Sequence, residues 1–145
     1  MKNTLQPTAK VLFRVPNEDG TTEVETLWAT HLGTDQYRLD NSPFWAYGVS
    51  WADVVFAPFS AEDGLPTFQA VVRKSGNRTV RVIFESSLEA EKSLPGITAL
   101  GCSYEGMKNR YVAINIPVGI ELASVCDYLT ELEVMWEYAD PNQEE

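Results

Sequence analysis

Hydrophobic positions recur every second residue along most of the first half of the chain, and twice at helical spacing in the second half. Lys10-Val11-Leu12-Phe13-Arg14-Val15 is rich in β-branched and aromatic residues and predicts a first strand. Pro16-Asn17-Glu18-Asp19-Gly20 is a loop with an Asp-Gly turn signal. Residues 23–30 alternate, with Val24, Thr26 and Trp28 on one face and Glu23 and Glu25 on the other. Gly33-Thr34-Asp35-Gln36 turns the chain, and residues 36–40 return as the paired strand. Strands at 53–57 and 67–73 follow, separated by a turn over 61–66. Residues 10–75 therefore predict a small antiparallel, SH3-like β-barrel.

The pattern then changes. Thr79-Val80-Arg81-Val82-Ile83-Phe84 predicts a strong strand. Ser86 or Ser87 can cap a helix over 88–94, with acids in its first turn where the dipole favours them. Pro95-Gly96 is expected to break or kink it, residues 97–100 to resume it, and Gly101 to stop it. Strands at 102–105 and 111–116 are joined by a hairpin over 106–110. Leu122, Val125, Cys126, Leu129 and Leu132 recur at helical spacing, with Glu121, Asp127, Glu131 and Glu133 on the outer side. Residues 134–138 form the last strand, and 1–9 and 140–145 read as tails. From residue 79 the order is β-α-β-β-α-β, the ferredoxin-like pattern, with two helices over one face of a four-stranded antiparallel sheet. The expected fold is α+β with two subdomains, 1–76 and 77–145. The junction Lys74-Ser75-Gly76-Asn77-Arg78 is too short to let them move freely, so they are expected to pack together.

Charge changes the picture. Residues 1–84 hold eight Lys/Arg and nine Asp/Glu, a net −1; residues 85–145 hold three and twelve, a net −9. Phosphate binding needs a basic face, so nucleic acid is disfavoured as a partner. A basic protein is favoured, because opposite potentials steer association. No run approaches the roughly 18 apolar residues of a membrane span, and the N-terminal residues lack the apolar region of a signal peptide. Two cysteines, Cys102 and Cys126, are too few for a disulfide scaffold and read as buried thiols, which points to the cytoplasm.

The inventory of reactive groups is thin. His31 is the only histidine and stands beside a hairpin turn, away from any nucleophile motif. One His and two distant Cys make no metal cluster, and the glycines form neither a P-loop nor a dinucleotide fingerprint. Asp40-Asn41 precedes Ser42-Pro43, where such side chains commonly fix a turn by bonding the local backbone. Arg78 and Arg81 alternate around valines and read as a solvated sheet face. No catalytic residue, metal or cofactor is expected.

The most unusual stretch runs from Tyr37 to Val55, where Phe44, Trp45, Tyr47 and Trp51 crowd around Pro43 and Gly48. The rings read as core filling the barrel and its seam with the second subdomain. Their spacing keeps them from all facing one way, so at least one, Trp45, is expected at the surface. Gly48 is expected in a conformation that other residues resist.

Tyr37-Arg38-Leu39-Asp40-Asn41-Ser42-Pro43-Phe44-Trp45-Ala46-Tyr47-Gly48-Val49-Ser50, with Asp53-Val54-Val55, Glu25-Thr26-Leu27-Trp28-Ala29 before it and the run from Arg73 to Arg81 after it, resembles a bacterial family labelled domain of unknown function 4265. The resemblance is clearest over residues 25–85. The chain departs from the family pattern at Ala52, where Gly is usual before Asp, and at Pro95-Gly96. Members of this family resemble immunity proteins of polymorphic toxin systems. The resemblance implies a non-catalytic immunity protein that binds a cognate secreted toxin domain, for example an ADP-ribosyltransferase or a nuclease. That toxin would be basic, encoded next to it and held in a 1:1 complex. The residues expected to meet the toxin are Glu89, Glu91, Glu121, Asp127 and Glu131, with Trp45 and Tyr47 as anchors. A regulatory nucleotide- or RNA-binding module is the alternative by fold analogy. An enzyme using Asp40 or His31 is a third reading.

Overall fold

The computed structural model describes residues 9–107 and 110–141. In chain order these form β1 (Ala9–Pro16), β2 (Thr22–Gly33), β3 (Gln36–Leu39), β4 (Val54–Phe56), β5 (Phe59–Ser60), β6 (Leu65–Pro66), β7 (Ala70–Arg73), β8 (Arg78–Ile83), α1 (Ser87–Ala99), β9 (Ser103–Met107), β10 (Tyr111–Ile116), α2 (Leu122–Glu131) and β11 (Met135–Asp140). The class is α+β, with mostly antiparallel sheets and two short helices. The expected tails at 1–8 and 142–145, and the centre of the β9–β10 turn, lie outside the described residues.

The first sheet has the order β1-β2-β3-β4-β7, every pair antiparallel. The β2–β3 hairpin turns through Thr34 and Asp35, both at positive φ (50° and 61°), the handedness that matches strand twist. Val11, Phe13, Leu27, Ala29, Leu39, Val49 and Val55 form its core. The buried face of β2 therefore carries Glu25, Leu27 and Ala29, while Val24 and Trp28 face outward. The expected barrel does not close. Leu12 and Thr67 make an isolated bridge, and the Phe68 N–H donates to the Leu12 carbonyl at 2.9 Å, so the curl touches β1 at one point and not along a ladder. Pro66, just before that contact, has no amide to extend it.

The second sheet has the order β11-β8-β10-β9, again antiparallel throughout. Val80, Val82, Phe84, Val112, Ile114 and Ile116 form one face, covered by Ala90 and Ile97 of α1 and by Val125 and Leu129 of α2. The helical spacing read in 122–132 holds. Pro95 does not divide α1, which runs on to Ala99. A Cβ at Gly96 would lie 2.0 Å from the Tyr128 Oη, and that phenol donates to the Ser93 carbonyl at 2.9 Å. Pro95-Gly96 thus marks close approach of the helices, not a break. β11 likewise extends past the expected last strand, and Asp140 is a buried strand end, not part of a tail.

Candidate functional site

Residues 40–53 leave β3 and cross between the two sheets before entering β4. Both sheets hold this irregular segment by its backbone. From the first sheet, the buried Glu25 carboxylate accepts the N–H groups of Phe44 (2.6 Å), Trp45 (3.1 Å) and Ala46 (2.9 Å). Three consecutive amides that no strand can pair are satisfied by one side chain, which is why a carboxylate sits on the core side of β2. From the second sheet, Glu105 accepts the Ser42 N–H and an Asn41 amide N–H, at 2.6 and 3.0 Å. Arg81 Nη1 donates to the carbonyls of Pro43 (3.3 Å) and Ala46 (2.7 Å), and the Tyr111 hydroxyl donates to that of Phe44. Asn41 also accepts the Trp28 N–H at 2.8 Å, so it spans the seam instead of bonding only its neighbours.

A second set of contacts locks the far end. The fully buried Asp53 accepts from Lys74 Nζ (2.6 Å) and from the N–H groups of Ser50 and Ser75 (both 2.8 Å). Lys74 also donates to Asp140 (2.5 Å), which accepts the Ser50 hydroxyl (2.5 Å). Ser50 donates to Asp140, so the Thr79 hydroxyl 2.7 Å away donates to Ser50. Ser50, which is fully buried, and Lys74 are thus joined through the same two carboxylates. Gly48 has φ +81°, the kind of conformation expected of it, and donates its N–H to the Ala139 carbonyl.

Trp45 is at the surface, as expected, but the core reading fails for Tyr47 and Trp51: all three rings are more than 40% exposed. Over residues 41–51 the buried residues are the small ones, Ser42, Pro43, Ala46, Val49 and Ser50. A backbone gripped from both sides leaves no room for rings between the sheets. Trp45 and Tyr47 instead line a cleft of about 1000 Å³ with Arg81, Ile83, Arg110, Tyr111, Met135, Trp136 and Glu137, rimmed by Val15 to Glu18. The Trp45 and Tyr111 rings stand 5.2 Å apart. The Arg81 guanidinium lies 4.5 Å from the centre of the Tyr47 ring. The Glu137 carboxylate accepts from Arg81 Nε (2.9 Å) and from the Tyr47 hydroxyl (2.8 Å). Burial pushes the Tyr111 phenol up to about 12. Burial, then the Glu137 contact, also raises Tyr47. Arg81 is not a solvated sheet residue; it is 1% exposed.

The acids expected to meet a partner lie elsewhere. Glu91, Glu121, Asp127 and Glu131 are exposed on or beside the two helices, on the opposite face of the second sheet from the cleft. The structure therefore does not bring them together with Trp45 and Tyr47. Glu89 is engaged locally. It accepts the Glu85 N–H at 2.8 Å while Ser86 accepts the Glu89 N–H, a reciprocal helix cap. His31 is exposed, with its ring tilted against that of Tyr37, and Asp40 accepts the Thr30 hydroxyl at 2.7 Å. Among the described residues no group of three or more His, Cys, Asp or Glu is placed to hold a metal ion, and no helix is long and apolar enough to cross a membrane. Sequence reasoning missed Glu25, Arg81 and Glu105. Only Glu25 left a trace, because it shares its parity with Leu27 and Ala29.

A family model described as "Domain of unknown function (DUF4265)" matches residues 25–138. Among solved structures, a hypothetical protein from Neisseria gonorrhoeae is similar in fold. It is 15% identical, with a TM-score of 0.79 over 94% of this chain and 96% of that one. No curated protein matches.

Proposed function

We propose, from the premise that this chain belongs to the family described as Domain of unknown function (DUF4265), that it is a non-catalytic immunity protein. Its role is to bind a basic toxin domain encoded next to it, in the cytoplasm and in a 1:1 complex, and to cover that toxin's active site or target-binding surface. In this reading the second sheet with its helices is a ferredoxin-like unit, and the first is an opened relative of an SH3-like barrel.

The observation that supports it is the state of the helical acids. Glu91, Glu121, Asp127, Glu131 and Glu133 are exposed, and among the described residues none of them is in an ion pair. Unpaired like charges repel one another at some cost to the free protein, and a basic partner relieves that repulsion while gaining a steered approach. The same acids disfavour the nucleotide- or RNA-binding alternative.

Co-expression with the neighbouring gene's product tests the proposal. Protection from toxicity and co-purification at 1:1 are expected. Both should be lost when Glu91, Glu121, Asp127 and Glu131 are together replaced by lysine in a protein that still unfolds cooperatively. Failure to bind or protect against any adjacently encoded protein sinks the reading.

A further inference from the structure

We propose that the cleft lined by Trp45, Tyr47, Tyr111 and Met135 binds a flat, largely apolar small molecule that carries one hydrogen-bond acceptor, a carbonyl or carboxylate oxygen, and that Arg81 Nη2 takes this acceptor. Arg81 is buried, and every other nitrogen of its guanidinium is used: Nε on Glu137, Nη1 on the carbonyls of Pro43 and Ala46. Nη2 has no hydrogen-bond partner. A buried charged donor without a hydrogen bond is rare in a folded protein, because it loses its water and the face of the Tyr47 ring returns only part of that loss. This one belongs to a residue that lines the cleft, beside aromatic walls.

The chemistry of the lining sets the ligand class. Aromatic side chains and Met135 favour a planar apolar body. About 1000 Å³ is at the upper end of the range for small-molecule sites. Two arginines, Arg81 and Arg110, face two glutamates, Glu18 and Glu137, so the cleft has no net charge to hold a polyanion. With Nε and Nη1 occupied, Arg81 cannot offer the paired donors that a phosphate would use. One acceptor remains to be satisfied. The Tyr47 ring lies against the guanidinium and is held by one hydrogen bond to Glu137. It is 46% exposed, so it can turn aside as the acceptor enters. The site is on the face of the second sheet away from α1 and α2, and so is separate from the acidic surface assigned to the toxin.

Titration of the full chain with indole-3-carboxylate and with indole, followed by amide and tryptophan-indole NMR shifts, tests this. Saturable shifts at Trp45 and Arg81 are expected, with indole about 10-fold weaker than its carboxylate. Trp45→Ala should weaken both about 10-fold without altering the fold. Met135→Glu, a change at a position 73% exposed, should weaken the carboxylate more than indole. Arg81→Lys, if it folds, should erase the preference between the two. Absence of saturable shifts, equal binding of the two probes, or shifts confined to α1 and α2 overturns the proposal. A peptide ending in tryptophan carries the same groups on a chain; if it binds more tightly than indole-3-carboxylate, the assignment to a small molecule is overturned in favour of a partner's terminus.

Discussion

The two faces of the β11-β8-β10-β9 sheet meet their neighbours by opposite means. On one, Val80, Val82, Phe84 and Ile114 press against helices that are themselves apolar on that side. On the other, Arg81, Glu105 and Tyr111 meet a backbone, each matched to a particular amide or carbonyl of residues 42–46. An apolar face accepts any well-shaped apolar cover, because burial is non-directional. A polar face accepts only the one arrangement that satisfies every donor and acceptor, so it specifies the course of the loop while adding little net stability. The cleft arises from this second kind of packing: a loop held by its backbone turns its rings outward.

The comparison breaks most visibly at Glu25. Glu25→Ala strands three amide donors, and a loss of about 3 kcal/mol in the free energy of unfolding in urea is expected, with the Trp45 environment changed in the folded protein. On the apolar side, Gly96→Ala forces a methyl against the Tyr128 ring. It should cost about 1–3 kcal/mol in spite of the better helix propensity of alanine. Shortening Tyr128 to leucine in the same chain should recover part of that loss, a non-additivity that a double-mutant cycle detects.

A gain is expected at Ala52, which holds φ at +71°, where an L side chain is strained. Ala52→Gly should raise stability by about 1 kcal/mol, read as a higher urea midpoint at unchanged slope. The next effect is confined to alkaline solution. The native state favours the protonated Tyr111 phenol, which donates to Phe44, and its pKa is raised from 10.0 to about 12 by burial. Its contribution is complete below about pH 10 and is lost as pH rises towards 12. Tyr111→Phe should flatten the fall in stability with pH over that window. The smallest change is expected on the helix exterior. Glu91→Gln, Asp127→Asn and Glu131→Gln should each shift stability by no more than about 0.5 kcal/mol, while weakening binding to the proposed basic partner and the salt dependence of that binding.

What could be read from the sequence follows the same division. The helix 122–131, the strand 78–83 and the order of elements in the second half were legible because apolar burial leaves a period. The Gly48 conformation was legible because few residues adopt positive φ. The closed barrel was not found, because closure depends on edge hydrogen bonds near Pro66 and not on side-chain pattern. Burial of Arg81 was hidden for a related reason: its partners are main-chain carbonyls at positions 43 and 46, and a carbonyl has no letter in the sequence. Tyr47 and Trp51 misled because large rings usually mark a core, and here, with Trp45, they mark the side of a loop that the two sheets left uncovered.

Glu25 and Arg81 also become available at different times during synthesis of the chain. A nascent polypeptide leaves the ribosome N-terminus first, and its early segments begin to organise before the later ones exist. Once residue 46 has emerged, Glu25 can already collect the amides of 44–46. The carbonyls of 43, 44 and 46 must wait for Arg81 and Tyr111. Until then the half-built loop exposes acceptors on the side where its final cover will sit, so synthesis of the second sheet completes a junction that the first sheet has already begun.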